Sequence, residues 1–130
     1  MSVTPRVLRL TLATIALLAA SAPDPAQAQE KTIKIGGLFP TSGPGAYFGA
    51  QDKQGIELAL EQLNKTGVNG YKFAVQYEDS SCSPLPATQA AKRLLEQFKP
   101  DVVIGEECSD ATLAAMPVIE EAKVPLINAG

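Results

Sequence analysis

After residue 31 the chain alternates short apolar segments with longer amphipathic stretches. The apolar segments have the length and composition of β-strands and cover residues 32–39, 71–77, 102–104 and 124–127. The stretches between them repeat apolar positions at helical spacing, over about 47–64, 87–99 and 110–122. Strands that alternate with helices predict an α/β fold, in which right-handed crossovers join a parallel sheet with helices on both faces.

Two different strand patterns predict the order of the sheet. Tyr71–Tyr77 alternates apolar and polar residues, which is typical of an edge strand with one face in water. Val102–Ile104 is continuously apolar, which is typical of a strand that is covered on both faces. We therefore expect a Rossmann-like (flavodoxin-like) sheet with strand order 2-1-3-4, in which a ligand binds beyond the carboxyl ends of strands one and three.

Glycine and proline indicate where the helices begin and end. Gly67 is placed to terminate the first helix. The second helix is expected to begin after Pro86 and to stop before Pro100. Pro117 is expected to kink or shorten the third helix, because proline lacks the N–H that a helix interior needs.

Residues 1–28 have the layout of a secretory signal peptide. Arginines precede the apolar stretch Leu10–Ala20, and Ala26–Ala28 supplies the Ala-x-Ala sequence that signal peptidase accepts. The stretch is shorter than the roughly 20 apolar residues of a permanent membrane span. An uncleaved anchor is the alternative, which the prolines after the stretch oppose. We expect cleavage after Ala28, export, and a mature piece, 29–130, without stable membrane insertion.

Charge and composition narrow the classes of function. The chain has 11 Lys and Arg residues, 14 Asp and Glu residues and no His. Because no basic stripe with interleaved aromatic residues is present in the sequence, nucleic acid is a poor candidate partner. The lack of His excludes His-dependent triads, His-ligated zinc and imidazole acid–base chemistry in this chain.

The chain has two cysteines, Cys82 and Cys108, and each follows a predicted strand. They could form a disulfide, remain free thiols, or make half of a metal site. Export to an oxidising compartment favours the disulfide. Two thiolates without His or further Cys make a poor zinc site. A disulfide would join two loops beside the expected cleft.

Two loops border that cleft. Pro40–Tyr47 is rich in glycine, but its glycines are out of register with G-x-G-x-x-G, so a tight turn is favoured over a nucleotide site. Backbone amides at the start of the following helix could still hold a carboxylate. In the second loop, Gly105–Asp110, we interpret Glu106 and Glu107 either as solvated charges or as partners for a ligand's ammonium group.

Candidate binding residues lie at the start of two helices. Ser109 and Asp110 precede an apolar run, so helix capping is the alternative to ligand binding and is the favoured role of Asp110. Tyr47 and Phe48 are expected to divide between the core and the mouth of the first loop.

Several motifs carry a resemblance to a known family. They are Ser42–Gly49, Val68–Phe73, Glu78–Cys82 and Val103–Ser109. From Lys31 to Gly130 the chain resembles the N-terminal lobe of periplasmic branched-chain amino-acid binding proteins. The resemblance implies a type I periplasmic binding protein, whose two lobes close on an amino acid or a related small polar ligand and deliver it to a membrane ABC permease. It also implies a disulfide between the two cysteines.

The roles of that family's binding residues can be assigned to this chain only at positions where the sequences match. Ser109 follows the second cysteine directly and matches the serine that holds the charged groups of the amino acid. The family commonly has a Tyr where this chain has Phe48, so a hydroxyl contact is missing or moves to Tyr47. The resemblance also implies further ligand contacts from the loop that begins at Gly130. The candidate ligand contacts are therefore Tyr47, Phe48, Ser109, Asp110 and Gly130.

Together these inferences predict a periplasmic solute-binding segment that is not an enzyme and that uses neither a cofactor nor a metal. Residues 29–130 are expected to form part of one lobe, without the second lobe. A truncated remnant that binds nothing is one alternative, and a nucleotide-dependent α/β enzyme fragment is a less favoured one.

Overall fold

The computed structural model describes residues 31–129, in which strands and helices alternate as predicted. The elements are β1 Lys31–Phe39, α1 Ala46–Thr66, β2 Tyr71–Asp79, α2 Pro84–Arg93, β3 Val102–Gly105, α3 Ser109–Glu121 and β4 Leu126–Ile127. A π-helical turn, Leu94–Phe98, continues α2. The predicted signal peptide and Gly130 lie outside the described residues.

The sheet has the order β2-β1-β3-β4, and every neighbouring pair is parallel. Ile35 on β1 lies opposite Val75 on β2 and Val102 on β3, which fixes the register of the three longer strands. β2 is therefore an edge strand and β3 an interior one. The predicted order 2-1-3-4 is confirmed.

The burial of β2 differs from the predicted alternation, because all nine of its residues are half-buried. Adjacent side chains meet helices on opposite faces of this strand. The ammonium of Lys53, on α1, lies 5.1 Å from the centre of the Tyr77 ring. Arg93 Nε, on α2, donates to Glu78 Oε2 at 2.7 Å. Because helices partly cover both faces of β2, neither face is fully exposed to solvent, in contrast to the prediction.

The core lies between the sheet and helices α2 and α3. Its fully buried members include Leu38 and Val103 on the strands, Leu94 after α2, and Ile119 on α3. Between these large side chains, the contact surfaces of both helices consist of buried alanines, namely Ala87, Ala90, Ala91, Ala111 and Ala115. Small side chains allow the two helices to approach closely, and the Thr88 hydroxyl of α2 donates to the Ala114 carbonyl of α3 at 3.1 Å.

The helix boundaries confirm one prediction, correct a second, and exclude one of the two effects predicted for Pro117. Gly67 ends α1 with a φ of 75°, and its N–H donates to the Leu63 carbonyl at 2.9 Å. α2 begins at Pro84 rather than after Pro86, because proline fits a first helical turn, where no backbone donor is needed. α3 is not shortened at Pro117 and runs on to Glu121.

Asp79, at the end of β2, fixes the path of the loop between β1 and α1. Its Oδ1 accepts the N–H groups of Thr41 at 2.8 Å, Ser42 at 3.2 Å and Ser81 at 2.9 Å. Its Oδ2 accepts the hydroxyls of Ser42 at 2.5 Å and Ser81 at 3.1 Å. Burial raises the pKa of Asp79, but these hydrogen bonds outweigh it and hold that pKa well below its usual range. The ionised carboxylate therefore joins two loops at the carboxyl edge of the sheet.

Two glycines of α1 provide a matched pair of substitutions. A Cβ atom at Gly49 would lie 2.1 Å from the Pro40 carbonyl oxygen, whereas one at Gly55 would meet nothing within 4 Å. We expect Gly49→Ala to lower the free energy of unfolding by about 1–3 kcal/mol through overpacking. Gly55→Ala should raise it by about 0.5–1 kcal/mol, because alanine favours a helix. Urea denaturation measures both, and equal effects would contradict close packing of α1 on the preceding loop.

Replacing the Asp79 carboxylate should destabilise the fold in a pH-dependent way. Asp79→Asn puts an amide group among hydrogen-bond donors, so we expect the free energy of unfolding at pH 7 to fall by about 1–3 kcal/mol. Because the folded pKa lies below the unfolded value of about 3.9, the advantage of the wild type is full above pH 4 and shrinks as the pH falls further. Denaturation at pH 7 and pH 3 tests this, with Asp110→Asn, an exposed aspartate, as the control.

Candidate functional site

A cavity of about 400 Å³ opens at the carboxyl edge of the sheet. Its wall combines the β1–α1 loop, the first turn of α1, the loops after β2 and β3, and the segment after β4. The lining residues are Pro44, Gly45, Phe48, Cys82, Glu107, Cys108 and Ala129. This is the place that the predicted strand order indicated for a ligand, beyond the carboxyl ends of strands one and three.

A disulfide between Cys82 and Cys108 forms part of the cavity wall. The Cα atoms are 5.4 Å apart, a usual distance for a disulfide. The bond joins the β2–α2 loop to the β3–α3 loop across a sequence separation of 26 residues. In the chain-entropy model, closing a loop of this length stabilises the fold by roughly 3 to 4 kcal/mol. Two of the loops that form the cavity are therefore held together covalently.

Ser109 and Asp110 occupy the exposed first turn of α3, beside the disulfide. The residue that precedes the helix is Cys108, whose extended backbone provides the cap position without a side-chain hydrogen bond. The predicted capping role of Asp110 is therefore wrong, because the helix begins one residue before it. Neither of the two polar side chains is engaged in a hydrogen bond within residues 31–129, so the Ser109 hydroxyl is available to a ligand.

Tyr47 and Phe48 do not divide between the core and the loop mouth as predicted. Both are exposed, by 68% and 58%, and their rings meet edge-on with 5.6 Å between the centroids. The reason is that α1 begins at Ala46, so its first turn lies beside the cavity rather than over the sheet. Phe48 lines the cavity, and Tyr47 packs against Phe48.

Glu106 is a buried part of the β3–α3 loop, with 1% of its surface exposed. Its Oε1 accepts the Cys108 N–H at 3.1 Å, and its carbonyl accepts the Thr112 hydroxyl at 3.3 Å. Its other carboxylate oxygen, Oε2, is buried without a hydrogen-bond partner. The interpretation of Glu106 as a solvated charge is therefore wrong.

Glu107 lines the cavity, and its carboxyl group lies close enough to that of Asp52 on α1 for the two to interact. If both groups were ionised, Glu107 Oε2 and Asp52 Oδ2 would be buried without a donor. Burial, the contact with Asp52, and the charges of Asp52 and Glu106 raise the pKa of Glu107 to about 7. Near neutral pH the Glu107 carboxyl group therefore holds a proton more readily than an ordinary glutamate does.

Sequence reasoning missed two members of this site, Asp79 and Asp52. The signal for Asp79 is its place between a strand and the Ser80-Ser81 pair, opposite Thr41 and Ser42, where hydroxyls and amides can reach one carboxylate. Asp52 carries no such signal, because it is one polar residue among many on an exposed helix.

No group of three or more His, Cys, Asp or Glu side chains within 31–129 has an arrangement that could hold a metal ion. In the same range, no helix combines the length and the apolar character that crossing a membrane requires.

Comparison with known proteins shows the family of the chain. Residues 32–130 match the family described as periplasmic binding protein. An amino acid binding protein of Pseudomonas aeruginosa is 36% identical over 99 residues, which cover 75% of this chain and 26% of that protein. The chain thus spans about a quarter of the length of such relatives.

Solved structures agree with this assignment. The branched-chain amino acid transporter substrate binding protein of Streptococcus pneumoniae, in complex with isoleucine, superposes with a TM-score of 0.71 and 35% identity, covering 75% of this chain and 28% of that one. A solute binding protein of an ABC transporter from Rhodopseudomonas palustris, in complex with 3,4-dihydroxy benzoic acid, gives a TM-score of 0.69 and 32% identity, covering 75% and 26%. The chain belongs to the periplasmic binding protein family, and the described residues form part of the N-terminal lobe of its branched-chain amino-acid binding members.

Proposed function

We propose that the chain serves as a solute-binding component of an ABC importer for amino acids or related small polar ligands. The observation that carries the proposal is the cavity at the carboxyl edge of the sheet, whose wall includes the disulfide and abuts the open first turn of α3. The family match over 32–130 supports the same role. Relatives with this fold are named as binding isoleucine or 3,4-dihydroxy benzoic acid.

Ser109 is the central ligand contact of this proposal. It begins α3, a helix of 13 residues whose N-terminus has no side-chain cap. The free N–H groups of a helix N-terminus favour an anion, and the Ser109 hydroxyl can donate to the same group. The α-carboxylate of an amino acid is the ligand group that fits this arrangement. Asp110, in the same turn, is exposed and remains a candidate for the ligand's ammonium group.

The aromatic pair Tyr47 and Phe48 provides an apolar part of the proposed site. Phe48 contributes apolar surface to the cavity, and Tyr47 extends that surface by its edge-on contact. Gly130 lies just beyond the described residues, next to Ala129 of the cavity wall. We include it as a backbone contact of the loop after β4.

The proposed partner is a membrane ABC permease, and the proposed location is the periplasm. Both follow from the family, and the signal-peptide pattern of residues 1–28 supports export. A binding role rather than catalysis is consistent with a chain that has no His and with a cavity wall that is largely apolar.

Ser109→Ala should weaken ligand binding without weakening the fold. A lost hydrogen bond to a charged ligand group raises the dissociation constant roughly tenfold or more. Because the hydroxyl forms no hydrogen bond within 31–129, the free energy of unfolding should change by less than about 0.5 kcal/mol. Isothermal titration calorimetry of the purified chain with a panel of amino acids measures the first effect, and urea denaturation the second.

Ser83→Ala is the matched control, because Ser83 precedes α2 without a side-chain cap bond and belongs to a different helix start from the first turn of α3 that the proposal assigns to the ligand. It should leave the dissociation constant unchanged. Absence of heat with every amino acid would contradict the proposed binding function of this chain.

A further inference from the structure

One ionisable side chain faces an otherwise apolar cavity. Among the described lining residues, Pro44, Phe48, Ala129 and the disulfide present apolar or weakly polar surface, and Glu107 alone carries a titratable group. No lysine or arginine within residues 31–129 forms an ion pair with Glu107. The carboxyl group at the cavity wall therefore has no cationic partner in that part of the chain.

This chemistry disfavours an aliphatic ligand group next to Glu107. An aliphatic side chain would take the carboxyl group out of water without giving it a hydrogen-bond partner, which weakens binding roughly tenfold or more. A ligand carboxylate would add another negative charge beside Asp52, Glu106 and Glu107. A cationic nitrogen, by contrast, supplies both a donor and the opposite charge.

Phe48 adds a second attraction for a cation. Its ring is 58% exposed and lines the same cavity as Glu107. The face of an aromatic ring attracts an ammonium or guanidinium group, more strongly where water is excluded. A carboxylate and an exposed aromatic ring in the wall of the same cavity would both attract a cation.

We propose that this cavity selects amino acids with a basic side chain, whose cationic nitrogen lies between the Glu107 carboxylate and the Phe48 ring. The inference rests on the proposed binding function and names the ligand class within it. The ligand's α-carboxylate is assigned to Ser109 and the first turn of α3, next to Cys108 of the cavity wall, and its side chain to Glu107. Isoleucine and 3,4-dihydroxy benzoic acid, which the solved relatives hold, lack the side-chain cation.

The proposal also couples ligand binding to the release of a proton from Glu107. Asp52 faces Glu107 from α1, and Glu106 faces it from its own loop. Burial and these neighbouring groups raise the pKa of Glu107 to about 7. A bound cation takes the place of the proton on Glu107, which passes to solvent. Affinity for a basic ligand therefore rises with pH, since the proton competes with the ligand below the pKa of Glu107.

Calorimetry with lysine, leucine and 3,4-dihydroxybenzoate on the purified chain tests the inference. We expect lysine to bind at least tenfold more tightly than the other two, to bind more tightly at pH 8 than at pH 6, and to release a proton, seen as a dependence of the heat on the ionisation enthalpy of the buffer. Glu107→Gln should weaken lysine binding about tenfold and abolish proton release. Glu107→Leu should reverse the preference toward leucine.

Glu120→Gln, which removes the same charge from an exposed position of α3, should change none of these values. Leucine or the benzoate binding to the wild type as tightly as lysine would overturn the inference while leaving the binding function intact. Lysine binding that Glu107→Gln leaves unchanged would also overturn it. Absence of binding by every amino acid and by the benzoate would overturn the proposed function, and the inference with it.

Discussion

The arrangement of the site depends on how the loops at the carboxyl edge of the sheet are held together. Parallel strands bring their ends to one edge, but the loops that follow have few apolar contacts of their own. Asp79 supplies the first constraint, because five hydrogen bonds join it to the β1–α1 loop and to Ser81. The Cys82–Cys108 disulfide extends the same connection to the β3–α3 loop. Through these two constraints, the edge strand β2 positions cavity residues that belong to other elements.

The fold was predictable because the burial of each strand and helix is reflected in the pattern of apolar and polar residues along its sequence. Strand order followed from the contrast between alternating β2 and continuously apolar β3, which have different neighbours in the sheet. Features that depend on a shift of one or two residues were predicted less well. Because α3 starts at Ser109, Asp110 does not occupy the predicted cap position. Because α1 starts at Ala46, the rings of Tyr47 and Phe48 both lie outside the core. Periodicity does not resolve shifts of that size.

The site was predictable where its residues adjoin a strand end, as Ser109 and both cysteines do. Asp52 and Glu107 belong to different elements, and only the packing of α1 beside the β3–α3 loop brings them together. No local rule favours contact between two carboxyl groups, because like charges repel and desolvation disfavours the ionised forms. The sequence did allow Glu107 a role toward a ligand's ammonium group, but it could not show that Asp52 modifies that role.

Two neighbouring, half-buried acids are an unfavourable feature in a domain with a small core, and two different events relieve it. A proton on Glu107 is one, and the cation of a bound ligand would be the other. Since a ligand that binds only the folded state stabilises that state, relief by the ligand adds to the stability of the loops as well as to affinity. The Asp79 network and the disulfide keep those loops in place without a ligand. They therefore allow the fold to tolerate neighbouring acidic groups that do not themselves stabilise it.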